Sequence, residues 1–439
     1  MTVGGDPSST ADGGLLRMTV GGPSDRRLFP LIMLCVSAMA VVQIIVAFAH
    51  HSREHILALD FRAYYTAGLM VREGAGPSLY DLDSQFEYQR RIIPEMQDPA
   101  GLLCFLEPPV AALPVAAIAS LPLREAYLIW SAFNLLWLLL LTRVITKALS
   151  PVPSHGRFRA LAMCLTFLPA WVALAHGQIS FILATGLLAA WLALRSGKDL
   201  RAGLWLSLLF LKPHLAIVPA LLLLRRGRGR AFVGLVLGGA AIAAASLAVT
   251  GWGGLVDYPT VLLNAVTWGD AYSVHPQATF TWRGLMQSLF ETDRAAPVLP
   301  YWLGGAAVAL WLLFRRCDSV WGTDSPRFAF EWSLLTATLL FTSPHTNYHD
   351  LTLLLVPGVL VFAGVHPRVP TGWNGRILTA LPHIGYLTCC APLLMLAGAS
   401  WWRVPIVLFE LLAVVVLATT QSPKVIAASG KLPEGARFP

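Results

Sequence analysis

Apolar residues fall in long runs along this chain, separated by short polar punctuation. The runs lie near 28–50, 102–122, 125–146, 159–175, 178–195, 202–224, 231–250, 297–314, 328–342, 349–365, 376–397 and 403–421. Most have the ~17–25 residues that a helix needs to cross ~30 Å of hydrocarbon. No alternating ten-residue strand pattern runs through the chain, and a closed barrel requires one, so helices are how these segments satisfy their backbone groups. The pattern predicts an all-α polytopic membrane bundle of about twelve transmembrane or re-entrant helices.

The polar stretches divide the chain further. Residues 1–27 are rich in Gly, Ser, Asp and Thr and end in Arg26-Arg27, which predicts a disordered cytoplasmic tail. A membrane domain follows over 28–421, then a second cytoplasmic tail over 422–439. The run at 28–50 has no small-residue cleavage site and reads as a retained anchor. Residues 51–102 turn polar and predict two interfacial helices, Asp60 to Arg72 and Ser84 to Pro94, in a first external loop. A second large external loop is expected at 251–296.

Basic clusters at Arg225 to Arg230, Arg315-Arg316 and His366 to Arg376 fit the cytoplasmic side with ordinary alternation, placing 251–296 and 343–350 outside. Arg143, Lys147, Arg157 and Arg159 also read as cytoplasmic, yet strict alternation after an external first loop places them outside. Some segment there then does not span fully, and two are suspect: 102–122, interrupted by Glu107-Pro108-Pro109, and 202–224, interrupted by Lys212-Pro213. Broken helices at membrane depth are tolerated where they line a wet cavity.

Composition sharpens this picture. With 56% hydrophobic and 13% charged residues the chain has too little polar surface for a soluble globule of its size, so the lipid bilayer is its main solvent. A net charge of +8 sits mostly in short loops beside apolar runs, which is membrane retention rather than nucleic-acid binding. The six cysteines form no CxxC pair, and no Gly-rich phosphate loop, nucleophile elbow or dinucleotide fingerprint occurs. Nucleotide hydrolysis is therefore not indicated as an energy source.

Several polar residues interrupt the apolar runs where chemistry would sit. Lys212 has about ten apolar residues on either side; it either snorkels to a headgroup or, aimed by Pro213, enters a cavity together with His214. His345 and His349, in Ser343-Pro-His-Thr-Asn-Tyr-His-Asp350, share a face if 345–349 is helical. They suit anion binding, substrate positioning or a plain interfacial cluster; a zinc site is disfavoured because no Glu follows the first His. His176-Gly177-Gln178 offers an imidazole and an amide for a sugar or phosphate, or caps the next helix. Arg283 is either a phosphate clamp or a headgroup anchor. Asp60 opens the first loop helix one turn before Tyr64, and is either an N-cap or a general base. Glu107 is a rival base, Asp81 belongs to a weak D-x-D string, and Glu410 is a lone acid mid-run, paired with a neighbouring helix or unexplained.

Taken in order, Asp60-Phe-Arg-Ala-Tyr-Tyr, Gly76-Pro-Ser-Leu-Tyr-Asp81, Glu107-Pro-Pro, His176-Gly-Gln, Lys212-Pro and Ser343-Pro-His345 with His349 resemble glycosyltransferase family 87. That family includes polyprenyl-phosphate-mannose-dependent mannosyltransferases of phosphatidylinositol mannoside synthesis, with the C-type glycosyltransferase fold. The resemblance runs over roughly 28–365 by motif order. It implies inverting transfer of a sugar, mannose by family precedent, from polyprenyl phosphate to a glycolipid or glycan hydroxyl. The transfer would take place at the external face of the plasma membrane, and no cofactor or metal is required.

The position matching the family's base is Asp60. Lys212, His345, His349 and Arg283 are the expected donor-phosphate contacts, and Tyr64, His176, Gln178, His214 and Asp81 the expected substrate contacts. Glu107 departs from the family, standing where an aromatic residue is expected. Two rivals share the hydropathy pattern: a transporter or lipid flippase, which would want internal symmetry that the halves lack, and a lipid-linked glycan ligase, which would want more external arginines.

Overall fold

The computed structural model describes residues 53–268, 272, 275, 279–292, 294–317, 322–323, 326–365, 373–390 and 403–419. Both expected tails, the anchor at 28–50 and most of the basic stretch from His366 to Arg376 lie outside them. Every regular element among the described residues is helical, as the hydropathy pattern requires.

The polar stretch after residue 51 forms α1 (Phe61–Arg72) and α2 (Leu82–Ile92), close to the expected bounds. Residues 102–122 do not form a span. They make only a 3-10 turn, Pro109–Ala112, and one turn of α-helix, Leu113–Ala116, because Pro108, Pro109 and Pro114 remove backbone donors in quick succession. Then come α3 (Leu123–Ala148) and a pair, α4 (Ser154–Leu165) and α5 (Leu168–His176), bent by 40°. They are followed by α6 (Ser180–Arg195) and α7 (Asp199–Leu206).

The break expected at Lys212-Pro213 is present. A 3-10 turn at Ser207–Leu211 leads to Lys212, a second at Pro213–Leu215 leaves it, and α8 (Ile217–Arg225) returns. The rising arm is about 22 Å long, at ~1.5 Å per α-helical and ~2.0 Å per 3-10 residue, against ~30 Å of hydrocarbon. This is a hairpin whose tip stays inside the molecule.

Helix α9 (Gly229–Ala265) comes next, then α10 (Trp282–Leu289), α11 (Ala295–Arg316) and α12 (Pro326–Thr342). A 3-10 segment, Tyr348–Leu354, runs into α13 (Leu355–Val365), and α14 (Trp373–Thr388) and α15 (Val404–Thr419) complete the described chain. Among the described residues three helices, α3, α9 and α11, are long and apolar enough to cross a membrane, with a fourth if the bent pair α4–α5 is one span. Helices α6, α8, α13 and α15 are apolar but shorter.

The bundle has two chemically distinct ends. At one, Trp130 of α3 donates to the Gly177 carbonyl (2.7 Å), and Ser180 at the start of α6 reaches Asp350 (3.3 Å). At the other, Arg228 meets Asp199 (3.5 Å), Arg226 meets Glu331 (3.6 Å), and Arg327 bonds both Glu331 (2.7 Å) and the Arg316 carbonyl (2.9 Å). These contacts tie the 195–201 and 225–230 turns, Arg316 and Arg327 into one basic rim. Helix α3 runs from the first end toward Arg143 and Lys147, so those residues and the following Arg157 and Arg159 join the same rim. The conflict in the N-terminal half disappears once 102–122 is not a span and 199–225 enters and leaves on one side.

The loop expected at 251–296 begins as helix. Straight, the 37 residues of α9 would reach about 56 Å at ~1.5 Å per residue, far beyond one bilayer core. Gly251 breaks the line at φ 67°, ψ −174°, and the second half packs Tyr258 against Tyr80, ring centroids 4.9 Å apart. The rising arm of the hairpin is braced on the first half. A Cβ on Gly203 would lie 1.9 Å from the Ala231 carbonyl oxygen, and one on Gly234 2.1 Å from that of Leu200, so only glycine lets α7 and α9 meet backbone to backbone.

Candidate functional site

The end opposite the basic rim gathers most of the polar residues singled out in the sequence. Asp60 occupies the N-cap position of α1 but its side chain caps nothing. Its Oδ2 accepts from Gln178 Nε2 (2.8 Å), and the Nδ1 atoms of His176 and His349 lie 3.2 and 3.4 Å from the same oxygen. Among the described residues none donates a hydrogen bond to Oδ1. Burial alone would raise the Asp60 pKa. Contact with His176 and the charges of His349 and His176 outweigh it and hold the carboxyl well below its ordinary range.

His176 ends α5, and Gln178 follows through Gly177, which closes the helix in the left-handed conformation at φ 71°. A Cβ there would sit 3.0 Å from Trp130 Cδ1 and 3.2 Å from Phe61 Cβ. The turn therefore aims His176 and Gln178 at Asp60 only with glycine between them. Gly177→Ala is expected to cost about 1–2 kcal/mol from the left-handed backbone, with crowding added. A fall in the thermal midpoint of the purified protein checks it.

A second carboxylate lies beside the first. Glu107 Oε1 accepts from the Tyr64 hydroxyl (2.8 Å), and that hydroxyl is 3.3 Å from Gln178 Oε1. One proton cannot serve both well, and the shorter contact takes it. Tyr80 donates to the Glu107 backbone carbonyl (2.7 Å), fixing the irregular stretch before Pro108. Burial raises the Glu107 pKa, the nearby Lys212 charge and Tyr64 hydrogen bond oppose it, and Asp60 is close enough to add repulsion; the net shift is upward.

Across from these acids sits Lys212, at the hairpin tip and largely buried. Its Nζ donates to Asp350 Oδ1 at 2.5 Å. Asp350 also takes the Asn347 backbone N–H (3.0 Å) in a capping box, and its Oδ2 is 3.4 Å from His349 Nε2. His349 thus lies between two carboxylates, Asp60 and Asp350, 3.4 Å from each. His214 and His345 lie close enough to Lys212 and Asp350 to feel both charges. The helical premise for His345 and His349 fails: helix begins only at Tyr348, and His345 sits in a turn held by Ser343. Tertiary packing rather than helical spacing brings both rings to the cluster.

Arg283 is placed differently from expectation. It is 2% exposed, its guanidinium donates to the Pro344 (3.1 Å) and Val266 (2.6 Å) carbonyls, and it lies over the Trp302 ring (5.8 Å). It braces the 343–346 turn from behind. Asp81 is exposed and caps α2 by accepting from Ser84 N (2.7 Å), so the helix-capping role accounts for it. Glu410 is fully buried in α15, with neither oxygen hydrogen-bonded to a described residue, so the expected helix–helix pair is not found there.

Sequence reasoning passed over Asp350. It stands next to His349 and opens an apolar run, a position where an acid needs a buried partner. No group of three or more His, Cys, Asp or Glu side chains among the described residues has a metal-holding arrangement. An apolar, partly open cavity is lined by Phe167, Leu354, Phe362, Tyr386 and Phe409 among others.

The arrangement can do acid–base and anion chemistry side by side: a carboxylate with one fixed and one open oxygen faces a buried ammonium flanked by imidazoles. Residues 105–344 match the family model of glycosyltransferase family 87. Neither the curated proteins nor the solved structures contain a match to the chain.

Proposed function

Since the chain belongs to glycosyltransferase family 87 and is a multi-pass membrane glycosyltransferase, we propose that it transfers one sugar, mannose, from polyprenyl phosphate to a hydroxyl of a glycolipid or glycan. The transfer inverts the anomeric centre and takes place at the external face of the plasma membrane, on a C-type glycosyltransferase bundle. One observation carries the reading: Asp60 is gripped at Oδ2 alone, within a cluster whose other wall holds Lys212.

In the reaction the acceptor hydroxyl gives its proton to Asp60 Oδ1 as its oxygen bonds to the anomeric carbon. The bond from that carbon to the phosphate oxygen breaks, and the electron pair leaves with the polyprenyl phosphate. Gln178 and the two imidazoles keep the carboxylate oriented through the oxygen that does not react, so little reorganisation is needed. Lys212 has three N–H donors; Asp350 takes one and fixes the ammonium, leaving two for phosphate oxygens. His214 and His345 add polar contacts beside it, while Arg283 holds the turn that carries His345. A leaving group of this kind is stabilised by the fixed Lys212 ammonium, so the scheme is written without a metal.

The lipid-borne donor is supported by the apolar cavity. Leu354, in its wall, is ~10 Å along the 3-10 segment from His349 at ~2.0 Å per residue, so a prenyl chain there would keep its phosphate near the Lys212 ammonium. The outward orientation is supported by the basic rim at the opposite end, which positive-inside retention places in the cytoplasm.

The test uses the purified protein in proteoliposomes with short-chain polyprenyl-phosphate mannose labelled in the sugar, and lipid extract plus octyl glycosides as acceptors. Label is expected to leave the donor for an acceptor as free polyprenyl phosphate accumulates. Label that crosses the bilayer still attached to its lipid would mean transport, and donor left intact on every acceptor would sink the reading.

A further inference from the structure

Asp60 and Glu107 share an unusual feature. In each, hydrogen bonds from described side chains reach only one oxygen: Gln178 donates to Asp60 Oδ2 at 2.8 Å, and Tyr64 donates to Glu107 Oε1 at 2.8 Å. The two donors are themselves in contact, Tyr64 hydroxyl to Gln178 Oε1 at 3.3 Å. Two adjoining side chains thus hold the two carboxylates as neighbours in one cluster. Each keeps one oxygen, Oδ1 and Oε2, without a side-chain donor. Both residues are only partly buried, so both open oxygens belong to groups that a ligand can reach.

The supporting side chains are themselves rigidly held. Tyr64 is 1% exposed and packs edge-on against Phe105 (5.7 Å between centroids), two residues before Glu107. Gln178 is 5% exposed. Tyr80 pins the Glu107 backbone from the other side. A carboxylate supported this heavily, in a half-buried place where its charge is costly, is not placed there by chance surface composition.

Two neighbouring acceptors on rigid supports suit a ligand that offers two donors. Resting on the reading of Asp60 as base, we infer that Glu107 is a specificity-determining residue that accepts a hydrogen bond from a second hydroxyl of the acceptor, close to the attacking one. The acceptor is then a polyol ring, because a serine side chain or a simple lipid alcohol has no second hydroxyl to offer. Glu107 takes no proton in the transfer. It sets which hydroxyl of the ring reaches Asp60, since seating one on Oε2 delivers a particular partner to Oδ1. Removing that second hydroxyl leaves Glu107 Oε2 without its donor, and sites built to bind a hydroxyl reject analogues lacking it.

The experiment compares octyl α-mannoside with its monodeoxy analogues as acceptors, using labelled polyprenyl-phosphate mannose and the full-length protein in detergent. For wild type, one deoxy position is the attacking hydroxyl and gives no product. A second is expected to lower kcat/KM by about ten- to a hundred-fold. Glu107→Gln is expected to bring the parent acceptor down to that deoxy level, mainly through KM, and to erase the difference between the two. Tyr64→Phe, which frees Oε1 but leaves both carboxylates, should shrink the discrimination without abolishing transfer.

A wild type that uses every analogue with a remaining nucleophile equally well overturns the inference and leaves the transferase reading standing. So does a folded Glu107→Gln that loses transfer to all acceptors alike, for that would make Glu107 the base. A wild type that transfers to no acceptor removes the transferase reading and this inference together. Thermal midpoints of both variants separate misfolding from a lost contact.

Discussion

Asp60→Asn is expected to lower kcat by about 10²–10⁴-fold while leaving the fold intact, because a positioned general base contributes about that much. The amide keeps an oxygen for Gln178, so the contact that orients the side chain survives. Only proton acceptance at Oδ1 is lost. Single-turnover transfer from labelled donor measures the fall, and full activity would remove Asp60 from the mechanism. The pH dependence follows with its sign. Burial pushes the Asp60 pKa up, but His176 and His349 hold it well below the ordinary carboxylate value. A depressed folded-state pKa means the stabilising contact is complete above the unfolded value and is lost as pH falls through the lowered one. Protonation of Asp60 should therefore cause no loss of turnover between about pH 5 and 8.

The second large effect is expected at the hairpin tip. Lys212→Met should abolish transfer and also destabilise the protein by about 3–5 kcal/mol, since it leaves the Asp350 carboxylate buried without its counter-charge. The two side chains are 15% and 6% exposed, so solvent screens the pair little. Adding Asp350→Asn to Lys212→Met removes the orphaned charge. The double variant should recover most of the thermal stability and none of the activity. Recovery of both would reduce Lys212 to a structural ion pair, and recovery of neither would mean that the hairpin needs the ammonium for more than Asp350.

Much of this site is legible in the sequence because membrane depth makes polarity conspicuous. Lys212 in its apolar run, the His176-Gly-Gln break and the His345–His349 stretch all interrupt long apolar segments, and the structure gathers them at one end. What cannot be read there is pairing over distance. Lys212 and Asp350 are 138 residues apart, and nothing local in either marks the other. Arg283 is indistinguishable in sequence from a phosphate clamp until the Pro344 and Val266 carbonyls are seen to occupy it. The kink at Gly251 is hidden for a different reason. Apolar sequence continues on both sides, and a backbone turn at one glycine leaves hydropathy unchanged. The failure of 102–122 to span was written in its prolines, which cost three backbone donors.

The hairpin carrying Lys212 also constrains how the chain can be made. Its ion-pair partner is the carboxylate of Asp350, so when residues 199–225 leave the ribosome the counter-ion has not been synthesised. Neither arm is long enough to cross as a helix, and the lysine disfavours lodging the tip in hydrocarbon alone. The segment must wait, at the interface or within the insertion machinery, until α12 and the turn after it arrive. Nascent chains truncated before residue 350 would then leave this stretch exposed to quality control, while chains extended past it would seal the centre in one late step.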